Sequence, residues 1–111
     1  MLYKFKSKST GDLIMLQPNG RRVLDIIGKD TQGDAGNKGI ILPAAMPAAV
    51  AALEAAIAQE EAQRRTALAQ ALARNEAPPH FEAISLRQRA QPFVEMLRRC
   101  QRENNEVVWG V

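Results

Sequence analysis

Chemically versatile side chains are scarce in this chain of 111 residues, which has one cysteine, one histidine, one tryptophan and one tyrosine. A lone cysteine, Cys100, cannot close an intrachain disulfide, so the fold needs no oxidising compartment. His80 and Cys100 together fall short of a metal-ligand cluster, and the sequence calls for no metal and no cofactor. Long apolar runs are missing as well. The longest are alanine-based and interrupted by Glu54, too short to cross a bilayer, so no membrane contact is expected. The opening Met1-Leu2-Tyr3-Lys4-Phe5-Lys6 alternates charge with bulk and lacks the continuous apolar region of a secretory leader. A cytoplasmic location is the expectation.

What remains is the composition of an ordinary globular protein, 46% hydrophobic and 24% charged, and it reads as a single domain over 1–111. Tyr3 and Phe5 alternate with Lys4 and Lys6 at the period of a half-buried strand. Ser9 to Asp12 form a turn cluster, and Leu13-Ile14-Met15-Leu16 reads as the strand that completes a hairpin. Pro18 opens a helix running to about Ile27, with Val23, Leu24 and Ile27 on one face and Gly28 as its stop. The stretch 28–39 is glycine-rich, without an apolar residue larger than alanine, and reads as a flexible loop. Ile40-Ile41-Leu42, between Gly39 and Pro43, is a third short strand.

From Met46 to about Arg74 the chain is alanine-rich and glycine-free, which predicts a long helix. Glu60–Arg64 and Glu61–Arg65 are spaced as supporting i,i+4 pairs. Residues 75–84 hold Pro78 and Pro79 and form an inter-helix loop. Ser85 and Gln88 then match a capping box, opening a last helix to about Arg102 that Pro92 should bend. Asn104-Asn105 makes a turn, and Val107 to Val111 ends the order β-β-α-β-α-α-β. Strands interleaved with helices imply an α/β fold: a two-layer, four-stranded mixed sheet with parallel pairs and a long antiparallel helical hairpin.

Tests for chemistry come out negative. Gly28-Lys29 follows a helix and has no glycine five positions earlier, so it is not a phosphate-binding loop. Cys100 continues the apolar face of the last helix, and His80 lies in the proline loop, remote from it in sequence. The carboxylates are scattered over solvated helix faces, Glu95–Arg99–Glu103 among them. The sequence therefore reads as non-catalytic.

Basic residues are the one surface signal. Lys4, Lys6 and Lys8 line one side of the first strand, and Arg87, Arg98 and Arg102 share a stripe on the last helix. A basic face of Lys4, Lys6, Arg87, Arg98 and Arg102 could meet phosphates. No aromatic is interleaved with it to stack on bases, and lysines on an edge strand also deter unwanted strand pairing. Trp109, the sole tryptophan, anchors the last strand if it faces the core and would be an interface hot spot if it faces outward.

The opening Met1 to Lys8 followed by Gly11-Asp12-Leu13-Ile14-Met15-Leu16 resembles the start of a small bacterial family of uncharacterised proteins, domain-of-unknown-function family eighteen-forty. Gly39-Ile40-Ile41-Leu42 leading into Met46-Pro47-Ala48-Ala49 is similar to it too. So are Ser85-Leu86-Arg87-Gln88-Arg89-Ala90, Pro92-Phe93 and the terminal Val107-Val108-Trp109-Gly110-Val111. The stretch after Gly28 resembles a length-variable insertion. The resemblance supplies no catalytic or binding residues. Function from sequence is thus an accessory or protein-interaction role, with a protein partner or a homodimer, through a candidate surface of Arg87, Arg98, Arg102 and Trp109. Nucleic-acid binding is the alternative.

Overall fold

The structure, a computed structural model, describes residues 2–29, 38–81 and 84–110. Two strands, β1 (Leu2–Phe5) and β2 (Leu13–Leu16), form an antiparallel hairpin with Leu2 opposite Leu16 and Lys4 opposite Ile14. The helix α1 (Gln17–Ile26) follows directly, with proline in its first turn where no N–H is needed. Then come β3 (Gly39–Ile41), a 3₁₀ turn (Pro43–Ala45), α2 (Met46–Ala73), α3 (Leu86–Glu103) and β4 (Val107–Trp109). Of the expected flexible loop 28–39, residues 30–37 lie outside the described residues.

Helix ends follow the sequence signals closely. At Ser85 the capping box is complete: its Oγ accepts from the Gln88 N–H at 3.2 Å, and Gln88 Oε1 accepts from the Ser85 N–H at 3.0 Å. The three α-helices among the described residues each stop at a residue with left-handed backbone, Gly28 (φ 86°), Asn75 (φ 56°) and Asn104 (φ 57°). In each case the next N–H reaches back to a carbonyl five residues earlier: Lys29 to Leu24, Glu76 to Ala71, Asn105 to Cys100. The chain runs through Pro92 without ending α3.

The expected four-stranded mixed sheet is not formed. β3 pairs with β4 in a second antiparallel ribbon, Gly39 opposite Trp109 and Ile41 opposite Val107. A single antiparallel bridge, Lys6 with Val108, ties the ribbons together through bonds of 2.8 and 2.9 Å. The physical reason is the helical hairpin itself. One crossover helix returns the chain to run parallel with its starting strand. Two antiparallel helices between β3 and β4 add one more reversal, and the pair becomes antiparallel.

One core unites these parts. The inward side chains of the strands, Tyr3, Phe5, Met15, Ile41, Val107 and Trp109, meet Val23 and Leu24 of α1, Leu53 and Ile57 of α2, and Phe93, Leu97 and Cys100 of α3. Phe5 is its centre, edge-to-face with Phe93 (4.6 Å) and Trp109 (5.6 Å) and stacked on Tyr3 (6.1 Å). Trp109 packs against Gly39, where a Cβ would run into the indole ring. Trp109 is 2% exposed, so the residue named as candidate surface belongs to the core and cannot be an interface hot spot.

Candidate functional site

The arginines of the last helix are mostly occupied. Arg87 grips Glu61 with two bonds, 3.0 and 2.8 Å, and Arg98 is paired with Glu54. Both glutamates belong to α2, so these pairs staple the hairpin. Glu61 therefore turns to Arg87 across the helices, although its carboxylate also feels the charge of Arg65. The Arg87 hydrogen bonds hold the Glu61 carboxyl below its ordinary value. Arg99 bonds Glu103 at 3.0 Å. Arg102 lines a groove of about 430 Å³ between the β1–β2 turn and α3, together with Thr10, Asp12, Leu13 and Glu95. Because Arg98 and Glu54 are both about half exposed, Arg98→Ala is expected to shift stability by no more than ~1 kcal/mol in urea titration, and by less in high salt.

Glu60 does more. Its carboxylate accepts from the Leu86 N–H at the start of α3 (3.0 Å), from Arg22 of α1 (2.9 Å), and pairs with Arg64 (3.3 Å). One side chain thereby links three helices. The Leu86 N–H lowers its carboxyl pKa most, burial opposes, and Arg22 and Arg64 lower it further. A depressed folded value means the stabilisation is complete above the ordinary value of 4.5 and is lost as pH falls through the folded value. Glu60→Gln should accordingly show a shallower loss of urea midpoint below about pH 4.5 than the parent. An equally steep acid limb would assign that loss to other carboxylates.

His80 lies over this junction, beside Phe81, Arg22 and Arg64. Cys100 is fully buried at the other end of α3, its Sγ 3.1 Å from Ser7 Oγ. Fourteen residues of helix, about 20 Å, separate Cys100 from Leu86 at the Glu60 junction. The two nucleophile-and-base candidates share no pocket. Among the described residues no three His, Cys, Asp or Glu side chains are grouped to hold a metal ion.

Sequence reasoning missed the outer side of the strands. Bridge partners point the same way, so Leu2, Lys4 and Lys6 share a face with Ile14 and Leu16 across the first ribbon, with Val108 across the bridge and with Ile40 beyond it. Leu42 continues the alternation of β3 on extended backbone. Six of these eight residues are apolar, and Leu2, Ile14, Leu16, Ile40 and Leu42 are each between 43% and 62% exposed. A water-facing antiparallel sheet normally alternates apolar-in with polar-out. Here only Lys4 and Lys6 obey. The signal was present in the sequence: Leu13-Ile14-Met15-Leu16 is apolar at every position, so both faces of the strand are apolar.

The basic residues divide between layers. Lys4 and Lys6 stand on this outer face, while Arg87 and Arg98 stand in the helical layer against α2. No helix among the described residues is long and apolar enough to cross a membrane. The model of one family, described as "Domain of unknown function (DUF1840)", matches residues 1–109. No curated protein and no solved structure matches the chain.

Proposed function

Because the chain belongs to the DUF1840 family, whose description assigns no activity, the geometry has to supply the reading, and we propose a protein-interaction module that works through the outer face of its strands. The observation that carries this is the apolar outer face. Apolar surface left in water is unfavourable by roughly 25 cal/mol per Å², and covering it drives association. The helices already use the inner face, so an additional layer must come from outside the described residues.

This reading assigns the protein no chemistry of its own. His80 and Cys100 stand apart, and Glu54, Glu60 and Glu61 are engaged in holding helices together. The nucleic-acid alternative loses support from the same geometry. Its proposed cations lie on two layers, and Arg87 and Arg98 already have carboxylate partners.

A photocrosslinking residue placed at Ile14 or Ile40 of the protein in its own cells should yield a discrete protein adduct. The same group at Gln70 should not, and Leu16→Glu should suppress the adduct at Ile14. No adduct from the strand positions, or the same adducts from Gln70, would reject the proposal.

A further inference from the structure

We infer that the partner covering this face is an amphipathic helix whose apolar stripe is bordered by aspartate and glutamate, an inference that rests on the interaction reading above. Lys4 stands opposite Ile14 and on the same side as Leu2 and Leu16, so an occupant that buries those apolar groups also meets an ammonium. Left unpaired away from water that charge is unfavourable, whereas a carboxylate at the border of the occupant satisfies it. Lys6 and Lys8 continue the line beside Val108, in a hollow of about 360 Å³ that Asp12 and Glu106 also border. The demand for an outside carboxylate is therefore concentrated at Lys4.

Other occupants fit less well. A two-fold pairing of copies is self-complementary by definition and brings the lysine-bearing face of one chain onto the lysine-bearing face of the other. Surfaces that sit on lipid use aromatic anchors, yet Tyr3, Phe5 and Trp109 all point into the core. The strands are three or four residues long, roughly 10–13 Å, which is one helix diameter. Helix against sheet is also the packing already present on the inner face.

The test is a yeast-displayed library of 18-residue helical peptides with a fixed Leu/Ile stripe and flanking positions varied among Glu, Gln and Lys. The full chain is the bait. Counter-selection uses an Ile14→Glu, Leu16→Glu double variant whose helicity and melting are first shown to match the parent. Flanking Glu should be enriched at least tenfold over Lys among binders. Selected peptides should lose at least tenfold in affinity against Lys4→Glu and regain it when their flanking Glu is changed to Lys. Binders that depend on the face but carry no acidic preference would overturn this inference and leave the interaction reading standing. A library without any face-dependent binder would overturn it as well. So would binding of phosphatidylcholine–phosphatidylglycerol vesicles in place of peptides, or a dimer dissolved by Ile14→Glu.

Discussion

Phe5→Ala is expected to lower the unfolding free energy by about 3–5 kcal/mol, the range for removing a fully buried aromatic ring. Phe5 is wholly buried and touches the rings of Tyr3, Phe93 and Trp109. It belongs to β1, Phe93 to α3 and Trp109 to β4, so one truncation opens a void where hairpin, helix and second ribbon converge. Domains of this size hold about 5–15 kcal/mol in total, so the variant should sit close to the edge of folding. Urea denaturation followed by far-UV circular dichroism gives the number. Leu72→Ala is the matched control: Leu72 is large and apolar but 70% exposed, and its loss should change stability by less than about 0.5 kcal/mol. A Phe5→Ala variant within about 1 kcal/mol of the parent would mean that the aromatic cluster does not organise the core.

Gly20→Ala is expected to destabilise, against the direction that helix propensity predicts. Gly20 lies inside α1, and alanine at an interior helical position is better than glycine by about 1 kcal/mol. Yet a Cβ there would stand 2.7 Å from Cγ of the Tyr3 ring, far inside van der Waals contact. Tyr3 is itself only 3% exposed and has no free space to retreat into. Overpacking of this kind costs about 1–3 kcal/mol, so the net change should be a loss of up to about 2 kcal/mol. The cause is separable by a double-mutant cycle with Tyr3→Ala. Once the ring is gone, Gly20→Ala should become neutral or stabilising. If it destabilises equally in both backgrounds, the glycine is needed for another reason.

Much of the local structure was legible because it depends on local rules. Pro18, Gly28, Ser85 with Gln88, and Asn104 mark helix ends through backbone geometry and hydrogen bonds within a few residues, and each stands where its chemistry requires. The alanine run from Met46 specified α2 in the same way. Its packing was less legible: α2 takes α3 as its partner and sets Ala49 against the core.

Strand pairing was not legible at that level. β3 and β4 hold three residues each and lie 65 residues apart between Ile41 and Val107. Nothing local distinguishes a parallel from an antiparallel neighbour, and the information lay in the parity of the helices between them. The arginine stripe misled for a related reason. Periodicity places Arg87 and Arg98 on one side of α3, but only the packed hairpin shows Glu61 and Glu54 opposite them. Glu60 was read as half of an i,i+4 pair with Arg64, which it is. Its bonds to Leu86 and Arg22 required knowing that α1 and the start of α3 converge on the middle of α2.

The bridge between Lys6 and Val108 has a bearing on synthesis. A ribosome delivers β1, β2, α1, β3 and both long helices before it delivers residues 107–109, and until then Phe5 lacks the indole that packs on its edge and β3 lacks its only strand neighbour among the described residues. The growing chain therefore carries an open apolar seam until β4 is made, the condition in which nascent polypeptides are prone to stray contacts. Closure waits for β4, which follows every other described element in the chain.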